Sequence, residues 1–205
     1  MIFIGICGAS GSGKSTLAEA LHAALGENCL ILTQDCYYRN RNKLPLKERK
    51  LINYDEPDSF DHDELLADIQ ALMAGQSITR KGYEYKKHKR ADTNEIIAPP
   101  EVLILEGIHC FHDPRLLELM YLKLYVEVDP DICLLRRINR DILVRGRKIN
   151  DISEQYINSV RPAFLQYIRD YKNVADFIVT NGLNPRVVDI LAGYVADEMH
   201  KHDQA

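Results

Sequence analysis

The sequence has no apolar run longer than a β-strand, so no segment is expected to cross a membrane. The first such run, residues 2 to 7, leads straight into a glycine-serine loop and does not resemble a secretory signal. Cysteine is sparse and unpatterned. Cys7, Cys29, Cys36, Cys110 and Cys133 are odd in number and never spaced C-x-x-C. That argues against a disulfide framework or a zinc site and for reduced thiols in a cytoplasmic protein. Positive charge is not in excess: 26 Lys and Arg stand against 30 Asp and Glu, a net charge of −4, which gives no electrostatic case for nucleic acid as a partner. Repeats and low-complexity segments are absent as well. What is left is an ordinary globular composition, 46% hydrophobic and 27% charged, expected to form one domain over residues 1–205. Basic residues cluster only locally, at 136 to 148 and 86 to 90, as solvated faces or as contacts for an anionic small molecule.

The most informative stretch is Gly8-Ala9-Ser10-Gly11-Ser12-Gly13-Lys14-Ser15-Thr16, which fits G-x-x-x-x-G-K-[ST]. Its flanks supply the required context. An apolar run fit for a strand buried on both faces precedes it. A helical pattern with Leu17, Leu21 and Leu25 on one stripe follows, with Gly26 as a stop. Glycines let successive backbone N–H groups face phosphate oxygens, and the helix N-terminus adds the positive end of its dipole. Lys14 is placed to reach the β- and γ-phosphates, and the Ser15 hydroxyl to ligate Mg²⁺. The chain is therefore expected to bind a nucleoside triphosphate.

Further strands are expected at 29 to 33, 102 to 107, 122 to 128 and 175 to 179, alternating with helices. The pattern predicts an α/β fold: a doubly wound parallel sheet of about five strands. Two strands end on acids, Asp35 and Glu106, where open α/β sheets gather their chemistry. Residues 39 to 60 read as a long loop with one short helix near 46 to 51, and 61 to 75 as an amphipathic helix. Residues 76 to 97, in which Tyr83, Tyr85 and His88 alternate with charge, suggest a small inserted β-hairpin. An arginine-rich lid is expected over about 137 to 155. A long helix at 151 to 171 should kink at Pro162, and a last helix is expected over 185 to 198.

With these landmarks placed, nearly the whole chain resembles the uridine kinase (uridine–cytidine kinase) family of phosphate-loop nucleoside kinases. The selective motifs are Gln34-Asp35-Cys36-Tyr37-Tyr38, Asn53-Tyr54-Asp55 with Pro57, and Tyr83-x-Tyr85-x-x-His88-x-Arg90. Leu105-Glu106-Gly107-Ile108, Arg136-Arg137-Ile138 with Arg140-Asp141, Arg145-Gly146-Arg147, and Gln155-Tyr156 with Val160-Arg161-Pro162 complete them in order. The resemblance implies ATP- and Mg²⁺-dependent phosphorylation of the 5′-hydroxyl of uridine, and of cytidine, in pyrimidine salvage. It assigns catalysis to Asp35, as acceptor of the hydroxyl proton, with Lys14, Arg140 and Arg145. Residues Gly8 to Thr16 would hold ATP (GTP remains open as donor), and Ser15 and Glu106 the metal. Asp35, Tyr38, Asp55, Arg137, Arg147 and Gln155 would bind the sugar side of the nucleoside. Tyr83 and His88 would read the pyrimidine, with Tyr85 and Phe111 packed on its ring. A homo-oligomer, a tetramer by resemblance alone, is also implied.

The chain departs from the family pattern at five places. Lys81 stands for a usual Pro, Glu56 for His, Val144 for a frequent Glu, His109 for an aliphatic residue, and Thr180-Asn181-Gly182 for Pro-Arg-Gly. Two alternatives bear on function. One is a related kinase acting on nicotinamide riboside, ribulose 5-phosphate or pantothenate. The other is a nucleotide-switched, GTPase-like protein. The second wants an N-K-x-D segment, and Asn42-Lys43 continues instead as Leu44-Pro45.

Overall fold

The computed structural model describes residues 1–203. Five parallel strands form the central sheet: β1 (Ile2–Gly8), β2 (Cys29–Thr33), β7 (Val102–Gly107), β8 (Leu122–Glu127) and β9 (Phe177–Thr180), in the order β2-β7-β1-β8-β9. β1 is central and pairs with β7 from Ile2–Val102 onward and with β8 from Ile4–Leu122 onward. Alternation along β1 serves both layers at once. Ile2, Ile4 and Ile6 pack toward α1 (Lys14–Leu25) and α8 (Pro185–Asp203), where Leu17, Leu21, Val188, Leu191 and Val195 meet them. Phe3 and Cys7 point the other way, toward Leu65, Leu66, Ile69 and Leu72 of α3 (His62–Met73) and Leu116 of α4 (Pro114–Leu119). Each fully buried leucine or isoleucine here contributes ~1.5–3 kcal/mol. Because the chain leaves β1 for one side of the sheet and β7 for the other, a crevice opens beyond the carboxyl end of β1. The phosphate-loop motif lies there.

The excursions from the sheet differ in detail from expectation. A short helix α2 (Leu46–Arg49) lies in the long loop. Residues 76 to 97 form two nested antiparallel pairs where one hairpin was expected. β3 (Ile78–Thr79) pairs with β6 (Ile96–Ile97), and β4 (Tyr83–Glu84) with β5 (Lys89–Arg90). The inner reversal is a 3₁₀ turn, Tyr85–Lys87, closed by His88 in the left-handed region at φ 45°. Tyr85 therefore sits on a turn.

After α5 (Pro130–Leu143), the expected kinked helix is broken into pieces. These are α6 (Ile149–Gln155), a wide π turn (Tyr156–Val160), α7 (Arg161–Gln166) and a 3₁₀ stretch (Ile168–Val174). Pro162 has no N–H for the carbonyl four residues back, and the chain relieves this by widening the preceding turn. The turn aims Ser159 inward at Asp55. Finally, α8 continues beyond the expected residue 198 to Asp203.

Candidate active site

The nucleotide side is built from one contiguous stretch and two strand ends. Gly11 (φ +89°) and Gly13 (φ +95°) take left-handed conformations, and a Cβ at Gly11 would run into the Cys133 carbonyl. The loop opens onto a solvent-open cleft whose lining includes Gly11, Gly13, Lys14, Ser15, Thr16, Arg136 and Arg140. No acidic residue lies in the first turn of α1, so its N–H groups and dipole are left for an anion. Lys14 Nζ lies 4.0 Å from Glu106 Oε2. Burial raises the Glu106 carboxyl above its usual range; Lys14 opposes this, Asp35 adds to it, and the Ser15 and Thr33 hydroxyls hold it down. Glu106 Oε2 is buried with no hydrogen-bond donor. A buried, unbonded carboxylate oxygen beside a hydroxyl suits a hard cation with oxygen ligands, so Ser15 and Glu106 fit Mg²⁺.

Opposite stands Asp35, on the 3₁₀ turn Gln34–Tyr37 that directly follows β2. Its Oδ2 accepts from the Tyr85 hydroxyl at 2.9 Å, and the Arg145 guanidinium lies over the Tyr85 ring at 4.1 Å. Tyr85 thus joins the strand-end acid to the arginine segment. Burial, and then the neighbouring Asp35 charge, push the Tyr85 hydroxyl far above the usual phenol range, so it stays a donor.

Asp55 is almost fully buried and lies deeper. Its Oδ2 accepts from Ser159 Oγ at 3.0 Å and from Gln155 Nε2 at 3.4 Å. Gln155 Oε1 in turn accepts from Arg137 at 3.0 Å and Arg147 at 2.6 Å, and Arg137 also donates to Ser10 Oγ at 2.8 Å. Burial raises the Asp55 carboxyl, against the pull of Arg137 and Ser159. The same burial lowers the Arg137 guanidinium, which Asp55 and Asp141 oppose. Tyr38 stacks on Phe60 at 4.4 Å, tilts against Tyr83 at 4.9 Å, and donates to the Tyr54 carbonyl. His88 stacks on Tyr54 at 5.0 Å. The Tyr83 hydroxyl is buried close to the Tyr54 hydroxyl, on the side where His88 stacks on Tyr54.

Of the residues expected to bind the nucleoside, Phe111 alone lies elsewhere. It is in the core with Met120, against Gly5, and does not join the others. The turn after β7 carries its ring into the α3–α4 layer.

Two contributors escaped sequence reading as site residues. The first is Asp141, whose side chain is fully buried among Arg140 (2.8 Å), Arg147 (3.1 Å), Arg145 (3.3 Å) and Arg137 (3.9 Å). Burial alone would raise its carboxyl, but the arginines hold it below the usual range. Its signal was an acid four residues after Arg137 on α5, with Arg145 four residues further on in the turn that follows the helix. The second is Ser159, for which the sequence held no signal before the wide turn was known. Lys81, one of the departures from the family pattern, pairs with Glu64 (3.0 Å) and Asp68 (3.8 Å) and ties the nested hairpins to α3. Arg90 reinforces that tie through Glu64 (2.8 Å), Asp92 and the Tyr38 carbonyl.

A phosphate loop at a sheet switch point, a lysine beside a strand-end glutamate and an aspartate facing them across the crevice define a phosphate-loop kinase. Comparison with known proteins narrows this class. The sequence profile described as "Phosphoribulokinase / Uridine kinase family" matches residues 3–187. Uridine kinase of Bacillus cereus (strain AH187) is 42% identical over 197 residues, 95% of this chain and 93% of that one. Uridine kinase of Vibrio vulnificus (strain YJ016) is 39% identical over 201 residues, covering 95% and 94%. Among solved structures, phosphoribulokinase from Rhodobacter spheroides superposes with a TM-score of 0.64 at 15% identity, covering 87% of this chain and 69% of that one, a likeness of fold. The chain belongs to the phosphoribulokinase / uridine kinase family.

Proposed function

We propose that the protein transfers the γ-phosphoryl group of ATP to the 5′-hydroxyl of uridine, and of cytidine, giving the nucleoside monophosphate. The observation that carries this reading is the contrast between two acids. Asp35 faces Lys14 and Glu106 across the crevice with a single tyrosine bond, whereas Asp55 is buried among Ser159, Gln155 and the arginines beyond. The first suits a proton acceptor and the second a binder of vicinal sugar hydroxyls. The 42% and 39% identity to uridine kinases over almost the full chain supports the same acceptor.

In this reading the phosphate loop and Lys14 hold the triphosphate. Ser15 and Glu106 would hold Mg²⁺, which when bound neutralises charge on the β- and γ-phosphates. Asp55, Arg137, Arg147 and Gln155 fix the ribose, Tyr38 closes the site from the hairpin side, and Tyr83 and His88 meet the pyrimidine edge. Tyr85 orients Asp35 by donating to Oδ2, leaving Oδ1 to accept the proton of the 5′-hydroxyl as it attacks in line. Arg140 and Arg145, poised on Asp141, supply positive charge over the transferred group.

The test is steady-state kcat/KM with ATP over a panel of uridine, cytidine, nicotinamide riboside, ribulose 5-phosphate and pantothenate. Uridine and cytidine are expected to lead by at least about a hundredfold. A non-pyrimidine acceptor leading the panel would leave the ATP site standing and overturn the reading of Tyr83 and His88.

A further inference from the structure

His109 stands where the family pattern has an aliphatic residue, yet it is fully buried with every polar atom bonded. Its peptide N–H donates to Gln34 Oε1 at 2.9 Å, which fixes its backbone at the end of β7. Its ring lies edge-on to Phe60 and Tyr167, at 5.8 Å from each. Nε2 is 2.7 Å from the Asp55 carbonyl oxygen, and Nδ1 is 3.0 Å from the Tyr171 hydroxyl, which is itself 3.1 Å from Nδ1 of exposed His112.

The direction of each bond follows from donor counting. A carbonyl can only accept, so His109 Nε2 carries a hydrogen. In a neutral ring Nδ1 is then an acceptor, and Tyr171 must give it the one hydroxyl proton. His112 Nδ1 must therefore donate to Tyr171. Burial keeps the His109 ring neutral, lowering its pKa to about 4 against the raising effect of the Asp55 carbonyl; the neighbouring His112 and His62 lower it further.

We propose that His109 is a positioning residue for the acceptor site. A directed chain, His112 to Tyr171 to His109, ends on the Asp55 carbonyl and holds that peptide while Ser159 and Gln155 hold the carboxylate. Asp55 is thereby pinned at both ends, and its oxygens are presented to the sugar without a loop to order on binding. The inference rests on the assignment of Asp55 to the ribose hydroxyls.

The experiment measures kcat and KM for uridine at saturating ATP, KM for ATP, and melting temperature. The variants are His109→Leu, His109→Gln and Tyr171→Phe, with Asp55→Asn as reference. His109→Leu, which loses a charge-free but buried donor, is expected to raise KM for uridine about tenfold while kcat stays within about twofold and KM for ATP is unchanged. Glutamine puts an amide N–H near the Nε2 position, so His109→Gln should return KM to within about threefold of wild type. Tyr171→Phe keeps the ring and should raise KM about threefold, which carries the test if His109→Leu does not fold. Wild-type KM in both His109→Leu and Tyr171→Phe would overturn the proposal, as would a glutamine variant no better than leucine in a folded protein. If Asp55→Asn raises KM and the chain variants do not, only this inference falls. If Asp55→Asn leaves KM unchanged, the ribose assignment falls instead.

Discussion

The two sides of the crevice are built on opposite plans. The nucleotide side is local: nine consecutive residues, the helix behind them and the strand-end acid on neighbouring β7. Its geometry is set by backbone, through left-handed glycines and free N–H groups, so few side chains are needed to hold it. The acceptor side gathers Asp35, Asp55, the nested hairpins, α5, and α6 with the wide turn that continues it, pieces drawn from widely separated parts of the chain, and it is held by polar networks. Such networks are costly to leave half-satisfied. Substitutions on the acceptor side should therefore propagate, reaching the phosphate loop mainly through Arg137, which donates to Ser10 Oγ, and Arg140, which lines the nucleotide cleft.

The strongest test of that contrast is Asp141→Ala. It leaves four arginines around an empty, fully buried site, and loss of one partner of a buried ionic cluster costs ~3–5 kcal/mol. A markedly lower melting temperature and at least an about tenfold rise in KM for uridine are expected, with the Kd for ATP by calorimetry still measurable. An equal collapse of both affinities would erase the distinction between the two sides.

The next effect is on pH. His109 titrates near 4 in the folded chain and near 6.5 unfolded. The unfolded state therefore takes up its proton first as pH falls, and stability is lost from about pH 6.5 downward toward pH 4, by about 3 kcal/mol in all. Denaturant midpoints at pH 7 and pH 5 should differ more in the wild type than in His109→Gln. The same slope in both would assign the pH dependence to other groups.

The smallest effect sharpens the comparison from the periphery. Lys81→Ala removes a half-buried lysine from Glu64 and Asp68 and should cost ~0.5–1 kcal/mol of stability, since such pairs near the surface are weak and Arg90 still holds Glu64. Kinetic constants for ATP should not move.

How much of this could be read in advance follows the same division. The central strands β1 and β7 were legible because burial on both faces leaves unbroken apolar runs, and the phosphate loop because glycine, lysine and serine must sit at fixed spacing for backbone reasons. Asp35 and Glu106 stood out as acids ending apolar strands. The acceptor residues came into view through family motifs, yet their partners did not. Asp141 carried a helical signal at four-residue spacing, while Ser159 depends on a widened turn that Pro162 forces and no pattern announces. Phe111 entered through the family resemblance alone, and nothing in the turn after β7 says that its ring folds back onto Gly5. The departure at Lys81 reads as a loss in sequence and as a new ion pair in space.

The claim on which the rest depends is that Asp35 accepts the proton of the acceptor hydroxyl. Steady-state kinetics of Asp35→Asn with uridine, beside its Kd for ATP, tests it most directly. The account predicts a fall in kcat of about a thousandfold, with ATP affinity within about twofold of wild type. A variant retaining more than about a tenth of wild-type kcat would contradict it, because an amide cannot take that proton.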